Sequence, residues 1–164
     1  MLVLTFHIGP HRLALDIRRV REVVPRVQLQ RLAGSPDYLA GLFVYRGRPV
    51  PVLDLHRLLD AVECPLHLSS RIVLVPLPRE TGEETLLGLL AAGVADIRDI
   101  GSAGQDSNPA ISPKQDRSSG PRMQLDLGST LVEGSDIFHL IDLDRLLPAP
   151  VQDLLDALPA GPLS

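Results

Sequence analysis

The sequence nearly repeats itself once, and that echo constrains the fold more than any other feature. Val52-Leu53-Asp54-Leu55-His56-Arg57-Leu58-Leu59 returns 88 positions later as Leu140-Ile141-Asp142-Leu143-Asp144-Arg145-Leu146-Leu147. In each copy an aspartate precedes leucines at helical offsets, which predicts a short helix capped by the carboxylate of Asp54 or Asp142. A second match sets Leu15-Asp16 against Ala91-Ala92, an offset of 76, and Val94-Ala95-Asp96-Ile97 keeps the rhythm of Val20-Arg21-Glu22-Val23. The twelve extra residues between the two offsets fall where Gly101–Arg122 lies. Two half-domains of short strands, each closing on a one-turn helix, predict a mainly β chain built as a pseudo-repeated pair of small barrels.

The strands follow from period-two alternation. Leu2, Leu4, Phe6 and Ile8 share one face, giving a half-buried strand, and Gly9-Pro10 turns it into a second strand through Leu13, Leu15 and Ile17. Arg18 to Val24 fits one helical turn stopped by Pro25, or a strand. Val27 to Arg31 can form another short strand, and Ser35-Pro36-Asp37-Tyr38-Leu39 a tight turn. Gly41 to Asp60 is strand, Arg46-Gly47 turn, strand and helix. Pro49 and Pro51 share a parity in the second of these strands, so they delete backbone donors on one side only, which predicts an edge strand or a lobe boundary. Arg71–Leu77, Leu86–Ala92 and Ile137–Ile141 are further strands, Leu125–Val132 is extended, and Pro148 and Pro150 stop the second helix. These elements predict a single domain over residues 1–164 with two lobes, roughly 18–85 and 1–17 with 86–150. A flexible loop is expected over 101–122 and a tail over 151–164 with room for a short helix.

Composition narrows the class. A hydrophobic fraction of 45% with only 3% aromatics requires a core of Leu, Val, Ile and Ala. No apolar run is long enough to cross a bilayer and the start lacks a signal peptide, so a cytoplasmic protein without direct membrane insertion is expected. The single Cys64 excludes an internal disulfide framework. A net charge of −4 argues against nucleic-acid binding. The charge is unevenly spread: residues 1–60 hold nine Arg against five acids, and residues 61–164 hold seven Lys/Arg against fifteen acids. A basic half suits an acidic partner or is simply a solvated surface.

Candidate chemistry is sparse. Asp54 and Asp142 could form an acid–base pair, but their position before Leu-rich turns marks them as caps. His7, His11, His56, His67 and His139 have no metal-ligand spacing and are expected on the surface, so neither a metal nor a cofactor is expected. Cys64 has no CxxC partner, and no phosphate-binding or nucleophile-elbow motif is present. A surface remains. Arg46 at a hairpin tip offers a planar, always-charged fork, and Val20 and Glu22 lie on the short segment after the second strand.

Several motifs occur in order: Phe6-His7-Ile8-Gly9, Leu13-Ala14-Leu15-Asp16-Ile17, Val20-Arg21-Glu22-Val23-Val24-Pro25, Pro36-Asp37-Tyr38-Leu39-Ala40-Gly41, and Arg46-Gly47-Arg48-Pro49-Val50-Pro51-Val52-Leu53-Asp54-Leu55. With Leu86-Leu87-Gly88-Leu89-Leu90 and the Leu140–Leu147 unit, this set resembles the CheW-like domain of bacterial chemosensory systems over nearly the whole chain. The resemblance implies two five-stranded SH3-like barrels around a shared apolar interface. It implies a non-catalytic adaptor that couples methyl-accepting chemotaxis receptors, at their cytoplasmic tips, to the regulatory domain of a CheA-type histidine kinase. The alternative is a scaffold of the same fold that binds only kinase or other CheW-like proteins. The implied receptor-binding residues are Val20 and Glu22 on one segment and Tyr45, Arg46 and Gly47 at the turn, beside an apolar groove between the lobes. The implied location is the cytoplasm, at membrane-associated receptor arrays. Val44-Tyr45 stands where the family usually has Asn-Leu, and Ala92 where it commonly has Asp; these departures fit a dedicated pathway such as surface sensing.

Overall fold

Strong β-formers with alternating burial set the elements. The computed structural model describes residues 1–60, 64, 65, 70–78, 84–94, 96–100 and 129–157. β1 (Leu2–Ile8) and β2 (His11–Asp16) form an antiparallel hairpin, and a 3-10 turn over Ile17–Arg19 leads into β3 (Glu22–Pro25). β4 (Leu39–Tyr45) and β5 (Arg48–Asp54) form a second hairpin, closed by α1 (Leu55–Asp60). β6 (Arg71–Pro78) and β7 (Glu84–Ala91) pair antiparallel. β8 (Asp96–Asp99), β9 (Thr130–Glu133) and β10 (Asp136–Leu140) are followed by α2 (Leu143–Leu146) and α3 (Ala149–Ala157). Two curled five-stranded sheets result, in the orders β3-β6-β7-β5-β4 and β8-β1-β2-β10-β9.

The two sheets are the same sheet with the chain entering at different points. The first lobe runs β3-β4-β5-α1-β6-β7, and the second runs β8-β9-β10-α2 before borrowing β1-β2 from the start of the chain. Register makes the match residue by residue. Glu22 lies opposite Leu74, Leu74 opposite Gly88, and Val52 beside Gly88 in a parallel pair. Asp96 lies opposite Thr5, Thr5 opposite Ala14, and Leu140 beside Ala14. The helix unit keeps its offset of 88 (Val52 to Leu140), but β2 and β7 are related by 74 (Ala14 to Gly88), not by the expected 76. A slip of two leaves every side chain on its face, so hydrophobic pattern alone does not detect it.

Burial explains the apolar runs. The outer faces of the two sheets meet in one core, where Leu4, Phe6, Ile8, Leu13 and Leu15 join Val73, Val75, Leu77, Leu87 and Leu89. Leu53, Leu55, Leu143, Leu146, Val151 and Leu155 complete it. Each lobe also has an interior: Val50, Val52, Ile72, Leu74 and Leu90 in the first, and Val3, Ala14, Ile100 and Phe138 in the second. β1 is therefore buried on both faces rather than half-buried, since Val3 and Thr5 are as enclosed as Leu4 and Phe6. Each fully buried Leu, Ile or Phe contributes about 1.5–3 kcal/mol, so these doubly covered strands anchor the fold.

Other expectations need correction. Of the two readings of Arg18–Val24 the strand holds for its second half: the helical turn is confined to Ile17–Arg19, and the chain then extends as β3 through Pro25, which an edge strand tolerates. Val27–Arg31 contributes one bridge, Gln30 to Leu42, not a strand. β5 is internal, lying between β7 and β4, although its ladder to β7 begins only at Val52, after both prolines. β7 pairs with β6 and β5, which puts residues 86–91 in the first sheet instead of the second. Pro150 does not end a helix but lies in the first turn of α3, where its missing N–H costs nothing. His56 is buried, not on the surface. The loop expected over 101–122 and the end of the C-terminal tail lie outside the described residues.

Candidate functional site: a polar seam on the first lobe

Curling the first sheet brings its two edges, β3 and β4, within side-chain reach. At one end the main chain closes the gap, with Gln30 and Leu42 exchanging N–H···O bonds of 2.8 Å in both directions. At the other end side chains do so. Phe43 and Tyr45 share a face of β4 and pack on the lobe interior, as does Val24 of β3. Alternation then puts Glu22 and Tyr45 together at the rim. The Tyr45 hydroxyl donates to Glu22 Oε2, and Arg46 Nη2 lies 3.8 Å from the same oxygen. The guanidinium of Arg46 sits over the Tyr45 ring, 5.2 Å from its centroid, and the Phe43 ring meets Tyr45 edge-on at 6.4 Å.

The turn that carries Arg46 is strained. A favoured two-residue turn between twisted strands needs φ > 0 at its first position, and here both positions take it, Arg46 with φ 49° and Gly47 with φ 77°. Arg46 is the only described non-glycine residue at positive φ. Such a backbone costs about 1 kcal/mol or more. An exposed ion pair returns roughly 0–1 kcal/mol, and the side chain of Arg46 is 78% exposed. Stability therefore does not explain an arginine at this position. Val44, pointing outward two residues earlier, is 73% exposed, a large apolar side chain beside the charged fork.

Three of the expected site residues, Glu22, Tyr45 and Arg46, thus form one cluster, and Gly47 shapes its turn. Val20 stands apart: it is half-buried, packs against the shared core and donates its N–H to Ile17 O at 3.1 Å. Phe43 and Val44 belong to the surface but were not singled out. Period-two alternation through Leu42–Tyr45, counted back from the Arg46-Gly47 turn, is the signal that places them. An apolar cleft of about 200 Å³ lies between the two lobes, lined by Leu32, Ala33, Pro36 and Leu39 of the first and by Val151 and Leu154 of α3.

Asp54, Asp142 and His56 are occupied structurally. Asp54 Oδ1 accepts the N–H groups of His56 (2.9 Å) and Arg57 (3.3 Å), while Oδ2 accepts that of Cys64 (2.9 Å). Asp142 Oδ1 accepts the N–H of Asp144 at 3.0 Å. Buried His56 accepts the N–H of Ala92 at its Nε2 (3.0 Å), tying α1 to the end of β7. Among the described residues no three metal-ligating groups converge, and no helix is long and apolar enough to cross a membrane.

Comparison with known proteins agrees with this architecture. The family model for the CheW-like domain matches residues 2–151. The chemotaxis protein CheW of Klebsiella aerogenes is 26% identical over 158 residues, covering 93% of this chain and 85% of the relative. Protein FrzA of Myxococcus xanthus is 32% identical over 99 residues, 56% of this chain and 59% of FrzA. The crystal structure of the scaffolding protein TtCheW from Thermoanaerobacter tengcongensis superposes with a TM-score of 0.69 at 21% identity, covering 90% of this chain and 88% of that one, and its fold is the pair of SH3-like barrels. With the family pattern running from the first strand into α3, the chain belongs to the CheW-like domain family.

Proposed function

We propose that this protein is a non-catalytic adaptor that couples methyl-accepting chemoreceptors to a CheA-type histidine kinase within a chemosensory array. The observation that carries the reading is the family match over residues 2–151. The receptor-facing surface comprises Glu22, Tyr45, Arg46 and Gly47, with Val20 at its margin toward the other lobe. An exposed guanidinium beside exposed Val44 suits a helical hairpin that offers both carboxylates and apolar side chains. The kinase regulatory domain and further CheW-like proteins take other faces, and the protein works in the cytoplasm where receptor arrays meet the membrane.

The test is capture by a purified receptor signalling-tip fragment and, separately, by the kinase regulatory domain. Arg46→Glu keeps the native circular dichroism spectrum and binds the receptor fragment at least tenfold more weakly, while kinase binding is unchanged. Undiminished receptor binding by this variant removes the assigned surface. Binding of wild-type protein to kinase but not to receptor establishes the kinase-only scaffold instead.

A further inference from the structure

We propose that the Tyr45 hydroxyl is a spacer that holds Glu22 off Arg46, leaving the Arg46 fork open to a carboxylate of an acidic partner segment; the inference rests on the coupling role above and assigns Tyr45 as a positioning residue. The starting point is a contact that has not closed. Glu22 Oε2 accepts from the Tyr45 hydroxyl, and Arg46 Nη2 stays 3.8 Å away, beyond hydrogen-bond distance. A guanidinium that meets a carboxylate squarely forms a shorter, charge-assisted pair.

The same chain supplies the control. Where no hydroxyl competes, Arg18 grips Asp16 through Nε at 3.2 Å to both oxygens and Nη2 at 2.8 Å to Oδ2. Arg21 reaches Glu84 Oε2 at 2.6 Å. Both of these pairs are on the surface, as Arg46 is, so exposure does not account for the difference. Arg19 Nη2 also stands 3.9 Å from Asp144 Oδ1, so an open pair is not peculiar to Arg46; what is peculiar to Arg46 is the phenol that shares its acceptor. Tyr45 does a second job: its ring lies under the guanidinium, 5.2 Å from centroid to Cζ, and attracts it. The result is an arginine oriented by the protein but not consumed by it, on a backbone that accepts strain to place it there. Planar bidentate geometry makes a carboxylate the matching ligand.

The inference fixes the sign of a rescue. Removing only the hydroxyl, Tyr45→Phe, frees Glu22 to close on Arg46, so the competent fork is populated less of the time and partner affinity falls about two- to fivefold. Adding Glu22→Gln removes the competitor, so affinity rises from the level of the single variant part of the way back toward wild type. A purely structural role for the seam can give a rescue of affinity too, but it leaves the pairing of Arg46 unchanged in both variants, so the guanidinium itself has to be read. Two measurements decide it. Nitrogen-15 relaxation of the Arg46 guanidinium in the free protein reports the pairing directly: its motion slows in Tyr45→Phe and recovers in Tyr45→Phe/Glu22→Gln. Titration with the receptor signalling fragment reports the consequence. Unchanged Arg46 motion in Tyr45→Phe, or a double variant that binds no better than the single, overturns the proposal. Failure of every variant, wild type included, to bind the fragment removes the coupling role, and the guanidinium relaxation then decides the spacer on its own.

Discussion

The hairpin β4–β5 of the first lobe and the hairpin β9–β10 of the second occupy equivalent places, yet they solve the same turn differently. Tyr45, Arg46 and Gly47 in one correspond to Glu133, Gly134 and Ser135 in the other, at the common offset of 88. Gly134 takes φ 61° with nothing near the position of a Cβ, so its turn carries no side-chain strain. Arg46 accepts φ 49°. The seams differ as well. The second lobe closes its edges with Arg98 and Glu133 at 3.3 Å, Arg98 lying 5.7 Å from the Phe138 ring centroid. The first lobe closes them with Glu22 and Tyr45 and leaves its arginine outside the pair. Two lobes under one set of folding constraints thus separate what the fold requires from what it merely tolerates. Capping aspartates occur in both, whereas an arginine on a strained turn occurs in one.

The lobe interiors offer the sharpest way to break the comparison. Gly88 of the first lobe is equivalent to Ala14 of the second, and a Cβ at Gly88 would come within 2.9 Å of the Cγ2 atoms of both Ile72 and Val52. In the second lobe the neighbouring positions are Val3 and Leu140, one smaller than its counterpart and the other branched further from the backbone. Gly88→Ala therefore overpacks the first lobe and lowers stability by about 1–3 kcal/mol. For a chain of this size that is a fall of roughly 5 °C in the thermal midpoint. Val52→Leu, which copies Leu140 of the other lobe, recovers part of the loss in the double variant. Thermal unfolding checks both. A neutral or stabilising Gly88→Ala would show that the two interiors have the same room.

The turn comparison predicts a smaller effect. Arg46→Gly and Arg46→Ala remove the same guanidinium, so the difference between them isolates the backbone. Arg46→Gly is the more stable by about 1 kcal/mol, the usual excess for a side chain in left-handed geometry. The mirror experiment, Gly134→Ala, loses about the same amount, because no neighbour contributes a clash there. Each shift is roughly 2–4 °C. Equal stability of Arg46→Gly and Arg46→Ala would mean that the turn relaxes and that no strain is held at this site.

Much of this contrast was legible in the residues. The DLxRLL echo identified the pseudo-repeat and both caps, because a cap and its leucines are a local pattern. The Arg46-Gly47 turn was visible for the same reason. What was hidden depends on partners distant in sequence. That β1 is covered twice follows only from β6 and β7 packing on its outer face. The parity of Pro49 and Pro51 correctly signalled a missing ladder but not its extent, since β7 joins β5 from Val52 onward. The burial of His56 reflects an acceptor role toward Ala92, far along the chain, which histidine spacing cannot encode. The seam itself, Glu22 against Tyr45, arises from sheet closure, so sequence could nominate its members but not their contact.

The smallest expected effect tests the second lobe by pH. His139 takes the position equivalent to Pro51, and burial, followed by the nearby His11, holds its imidazole below the ordinary histidine value of 6.5. The folded state therefore binds this proton less readily than the unfolded chain does. Stability from this group is undisturbed above pH 6.5 and declines as pH falls through that value toward the lowered folded one. Asp16 adds to the decline at lower pH, because its hydrogen bond to Arg18 lowers its pKa and that support disappears on protonation. The two are separable by window, since the histidine acts first on acidification. Replacing His139 with Gln should flatten the thermal midpoint between pH 7.5 and 5.5 while leaving the carboxylate-driven loss below it. A profile unchanged by that substitution would place the near-neutral titration elsewhere.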